Sequence, residues 1–128
     1  MAKKPILTLD AMVPDHEIVS GVFGKEYELL DYEDVGIVLY SRMVKEYGEI
    51  NEMAARAKDL SDKELTEFDA RLTTMVQKVL MGISAEDAAR LSIDKKQKVL
   101  AIFFGLATKK LKAATMELES ETNPITEN

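Results

Sequence analysis

The sequence predicts a mainly α fold, a bundle of three long helices and one short one with a small β element at about residues 5–30. Three observations carry that reading. Apolar residues recur at three- and four-residue steps through long stretches, which marks one face of a helix. Ser61 and Glu64 stand at the Ser-x-x-Glu spacing of a capping box. The stretch "VSGVFGKEYELLD" breaks at two glycines and then alternates Tyr27 with Leu29, as a hairpin does. At 128 residues the chain fits one domain, read here as 1–118 with an acidic tail over 119–128.

Taken in order, "ILTL" is β-rich, "MVPD" is a turn signal, and Lys25–Leu30 is the clearer strand. The first helix is expected over about 32–59. Asp31 is its N-cap, and Glu33 and Asp34 suit the positive end of the helix dipole. Its stripe runs Val35, Leu39, Met43, Tyr47, Ile50, Met53, Ala54 and Ala57, with Gly48 a candidate kink. The second helix starts at Ser61, with Leu60 as a staple, and stops at Gly82. Its apolar face is Leu65, Phe68, Leu72, Met75, Val76, Val79 and Leu80. Ser84 caps a short helix through about Leu91, and Ser92 or Asp94 caps the last one, to about Leu118. The inward stripe of that helix reads Val99, Ile102, Phe103, Leu106, Leu111, Ala114 and Leu118. "ESETNPITEN" has little to bury and reads as disordered.

Composition narrows the function classes. With no cysteine, disulfides and thiolate zinc sites are excluded, which suits a reducing cytoplasm. No apolar run approaches the roughly 20 residues needed to span a bilayer, and no signal peptide is read at the N-terminus. A net charge of −6 argues against a general nucleic-acid binder. Charge is unevenly spread, however. Eight acids and one lysine lie between Asp10 and Asp34, whereas Lys95–Lys112 holds six lysines and no acid.

Reactive constellations are missing. His16 is the only histidine, set between Asp15 and Glu17, and reads as a solvated loop residue. A nucleophile needs a base within hydrogen-bond reach, and the chain offers no such triad. The glycines of "SGVFGKEY" precede a strand rather than a helix N-terminus, the wrong order for a phosphate cradle. No enzyme and no cofactor is expected. Met43, Met53 and Met75 fall on helical stripes, either as core filler or as the lining of an adaptable groove.

"GISAEDAARLSIDKKQKVLAIFF" has the lengths of a helix-turn-helix, in which Lys95, Lys96, Gln97 and Lys98 would read bases. Against that, "LSID" replaces the usual turn glycine, and no arginine follows Arg90. A corner closing the core is the alternative. Phe103 and Phe104 diverge by about 100° on a helix, so one of them could face a partner.

The run from "GKEYELLDYEDVGI" to "LSDKELTEFDARLTTMVQKVLMGISAEDAARLSIDKKQKVLAIFFGLA" resembles the tail assembly chaperones of long-tailed bacteriophages. Their ending is matched by Leu91, Ser92, Lys96, Leu100, Phe103 and Phe104. The resemblance implies a non-enzymatic protein of the host cytoplasm that coats the helical tape measure protein and leaves before the virion is complete. It also implies self-assembly and, in many members, a longer frameshifted form. The contact residues expected on this reading are Met43, Tyr47, Phe103, Phe104 and Leu106, with Lys95, Lys96 and Lys98 as steering charges. A small DNA-binding regulator and a component retained in the virion are the rival expectations.

Overall fold

A computed structural model describes Lys4 and residues 16–122, with side chains described as far as Lys112. The expected mainly α fold with a minor β element is what it holds: three long helices, a short one and a three-stranded antiparallel sheet.

The sheet begins with β1 (Ile18–Val22) and β2 (Lys25–Leu29), paired antiparallel as Ile18 with Glu28, Val19 with Tyr27 and Val22 with Lys25. Phe23 and Gly24 form the turn with φ of 53° and 79°, the pair of positive values that a tight hairpin turn demands. Glycine takes such a φ freely, whereas phenylalanine is strained there. The guanidinium of Arg90 lies 4.2 Å from the Phe23 ring centroid and holds the turn against the body of the protein. The predicted strand in "ILTL" lies outside the described residues.

The expected first helix of 32–59 is three pieces. Tyr32–Asp34 is a 3-10 turn capped by Asp31, Val35 and Gly36 are extended, and α1 spans Ile37–Ala55, followed by a 3-10 turn at Ala57–Asp59. The Asp31–Asp34 capping box closes on itself within one turn, which uses up the N-terminal signal before the long helix starts. Helix α1 continues through Gly48. Its buried row is Tyr40, Met43, Ile50 and Met53, and Leu39, expected inside, is exposed.

Helix α2 (Asp62–Val79) starts at Ser61 with the predicted capping box intact. It passes without a loop into β3 (Leu80–Met81), a strand the sequence reading missed, where Leu29 pairs with Leu80 and Glu28 with Met81. Gly82, with φ of 86°, then turns the chain. Ser84 caps α3 (Ala85–Arg90). Ser92 caps α4 (Ile93–Thr122), accepting from the Lys95 N–H at 3.2 Å. That helix runs past the predicted stop at Leu118, into the expected tail; residues 123–128 lie outside the described residues, as do the side chains of Ala114 and Leu118.

Helix α2 is the hub, in contact with α1, α3, α4 and β3. Its Phe68, Leu72, Met75, Val76 and Val79 meet Ile50 of α1 and Leu100 and Phe103 of α4 in one core. The inward row of α4 is Val99, Leu100, Phe103, Phe104 and Ala107. Ile102, expected inside, is exposed because burial on two sides, by α2 and by α1, shifts the buried face around the helix.

Candidate functional site

The residues expected to meet a partner form an internal seam between α1 and α4. Phe104 stacks on Tyr47 with centroids 4.2 Å apart and planes 10° apart, and Phe103 meets Phe104 edge-on at 4.9 Å. Met43, Phe103 and Phe104 are buried, while Tyr47 and Leu106 are half-buried against the same core. This corrects the expected contact set: apolar side chains at these positions have their own helices to cover, so a partner does not reach Met43, Phe103 or Phe104. The methionine alternative resolves the same way, with Met43, Met53 and Met75 all in the core.

Lys96 is a second correction. Its side chain is 1% exposed, and its ammonium donates to Asp69 at 2.7 Å, to the Thr73 hydroxyl at 2.8 Å and to the Ala89 carbonyl at 3.4 Å. Three acceptors match the three donors of an ammonium, so the charge is satisfied inside and cannot read a base or steer a partner. It fastens the α3–α4 corner to α2, as the alternative to a helix-turn-helix over Gly82–Phe104 expects. Lys95 and Lys98 stay exposed, beside a shallow hollow floored by Val19, Val22, Leu91 and Ile102 between β1 and α4.

His16 is not the solvated residue expected. Its Nε2 lies 2.6 Å from Asp34 and its Nδ1 3.1 Å from Glu28, and the side chain is largely covered. Two carboxylates facing both ring nitrogens favour the imidazolium, and the Asp34 hydrogen bond above all raises its pKa over 6.5. Next to it Lys110 of α4 is paired with Asp31. Burial would push the Asp31 carboxyl up, but the bonds from Lys110 and from the Glu33 N–H outweigh it and hold the carboxyl below its usual range. Asp31 and Lys110 border a hollow of about 50 Å³ lined also by Leu30 and Leu106 among others. That is room for a few waters and far below the roughly 300 Å³ of a small-molecule site. Among the described residues there is no cluster of three or more histidines or carboxylates able to hold a metal ion.

What the sequence reading overlooked is the outer side of α1. Ile37 is 69% exposed, Val38 63%, Leu39 46% and Val44 44%. Successive helical residues turn by about 100°, so the run Ile37–Tyr40 reaches all round the helix and cannot all be buried. That signal was legible in "GIVLY". Two shallow hollows adjoin here and share Ile37 and Ser41. One is lined also by Val38, Arg42 and Lys45. The other is bounded by Tyr40 and Val44 of α1 and by Thr108 and Leu111 of α4. The second runs along the α1/α4 seam, above the buried Tyr40–Phe104 contact, and the first continues it onto the outer side of α1, so that the two make one shallow apolar trough. No helix among the described residues is long and apolar enough to cross a membrane, so the trough is not part of a membrane-spanning helix. Comparisons with protein-family models, with curated proteins and with solved structures find no match for this chain.

Proposed function

We propose that this protein is a non-enzymatic tail assembly chaperone of a long-tailed phage or prophage, and that it shields apolar stripes of the tape measure protein until tail subunits cover them. The observation that supports the reading is the apolar trough, with Ile37 and Val38 more than half exposed at the start of α1. An exposed apolar patch of this kind costs solubility unless something docks on it. A groove between two helices accepts a third, whose side chains at i, i+3, i+4 and i+7 enter it. The contact set is therefore revised to Ile37, Val38, Val44 and Leu111. Burial of a few such side chains, at about 25 cal/mol per Å², yields a modest affinity per site that still permits release when the tube assembles.

Co-expression with the neighbouring tape measure gene tests this. Wild-type chain is expected to keep the tape measure protein soluble and to co-purify with it. Ile37→Asp with Val38→Asp is expected to abolish both while shifting the chain's own stability by no more than about 0.5 kcal/mol per site. Failure of the wild-type pair to co-purify, with no gain in the partner's solubility, overturns the proposal.

A further inference from the structure

We propose that the occupant of the α1/α4 trough is an amphipathic helix whose apolar stripe is bordered by carboxylates; this rests on the protein-shielding reading above and names the partner's chemistry. The rim of the trough is cationic although the chain carries a net −6. Between Val35 and Lys45 there are two cations, Arg42 and Lys45, and no acid, and both cations line the outer hollow. On the opposite wall, Lys112 follows Leu111 and lies one turn beyond Thr108, with Lys109 exposed on the same helix and no acid between Lys95 and Lys112.

Glu46 and Glu49, one turn along α1 from Arg42 and Lys45, are drawn across to α2. They hold its Arg71 at 2.8 and 2.7 Å, and Asp31 holds Lys110. Among the described residues Arg42, Lys45, Lys109 and Lys112 belong to no ion pair. Two cations outside any ion pair, Arg42 and Lys45, thus line the apolar floor, with Lys112 next in the chain to its far wall, which is the complement of a helix with a leucine-type stripe and glutamate or aspartate edges. The net charge of the whole chain favours the opposite, a lysine-edged helix. Screening decides between them: at about 0.1 M salt the Debye length is near 10 Å, so the rim outweighs distant acids.

The test titrates the intact protein into three fluorescein-labelled helical peptides of about 18 residues, sharing one leucine stripe and edged by glutamate, glutamine or lysine. Anisotropy is read at about 50 mM and about 500 mM sodium chloride. The glutamate-edged peptide is expected to bind about tenfold tighter than the lysine-edged one at low salt, with the gap closing at high salt. The double variant Arg42→Glu, Lys45→Glu, with an unchanged far-ultraviolet dichroism spectrum, is expected to reverse the preference. Equal binding of all three peptides, or preference for the lysine edge, overturns the acid-edged occupant while the shielding reading stands. Failure of every peptide to bind overturns both.

Discussion

Lys96 shows how a residue type can mislead about its place. A lysine four residues into a helix, in the run "DKKQK", has every surface-like neighbour, yet its stem crosses the core and its ammonium finds Asp69, Thr73 and the Ala89 carbonyl. The arrangement makes a prediction that separates packing from charge. Lys96→Ala removes the stem as well as the charge and leaves a void, and it is expected to cost about 2–4 kcal/mol by urea unfolding. Lys96→Met keeps most of the volume, and Asp69 remains partly solvated, so the loss is expected to stay under about 1 kcal/mol. Equal losses for the two variants would mean that the ion pair rather than the stem holds the corner.

The elements are joined at their ends by charged clasps. Asp87 at the start of α3 takes the Lys25 ammonium at 3.3 Å and the Tyr27 hydroxyl at 3.5 Å, so β2 is tied to α3. His16 ties the segment ahead of β1 to Glu28 of β2 and to Asp34 of the 3-10 turn. Because the folded state raises the His16 pKa above 6.5, this clasp contributes in full below that value and is lost as pH climbs through the raised one. The urea midpoint is expected to fall as pH rises above about 6.5 and through the raised pKa, and His16→Gln is expected to flatten that fall. An unchanged slope in the variant would remove the clasp from the account. Nothing in the sequence announced these ties, since each joins residues far apart in the chain, whereas the local devices were readable. Ser61–Glu64, Ser84 and Ser92 cap helices as expected. Of the expected α1 stripe, Met43, Ile50 and Met53 are buried, whereas Leu39 is exposed and Tyr40 takes the inward place in the first turn of a helix that starts only at Ile37. The trough escaped the sequence reading because its walls come from two helices more than sixty residues apart.

Across the whole molecule, α2 packs against the other two long helices, α3 and β3. Leu72 at its centre is fully buried. Leu72→Ala is expected to cost about 2–5 kcal/mol and to lower a single cooperative transition without splitting it. Hydrogen exchange should find the slowest amides in α2 around Leu72–Val76, because opening them breaks its packing against α1, α3, α4 and β3 together. Faster exchange there than in α1 would show that the hub lies elsewhere.

That β3 follows α2 with no intervening loop ties two kinds of periodicity to one residue count. An insertion between Val76 and Leu80 would swing everything behind it by about 100° within the helix, or turn Leu80 to the wrong face of the sheet. Leu80 would then leave its place beside Leu29, and the hairpin would lose its seat on the bundle. Sequences descended from this one are therefore free to exchange letters along that stretch but not to change how many there are.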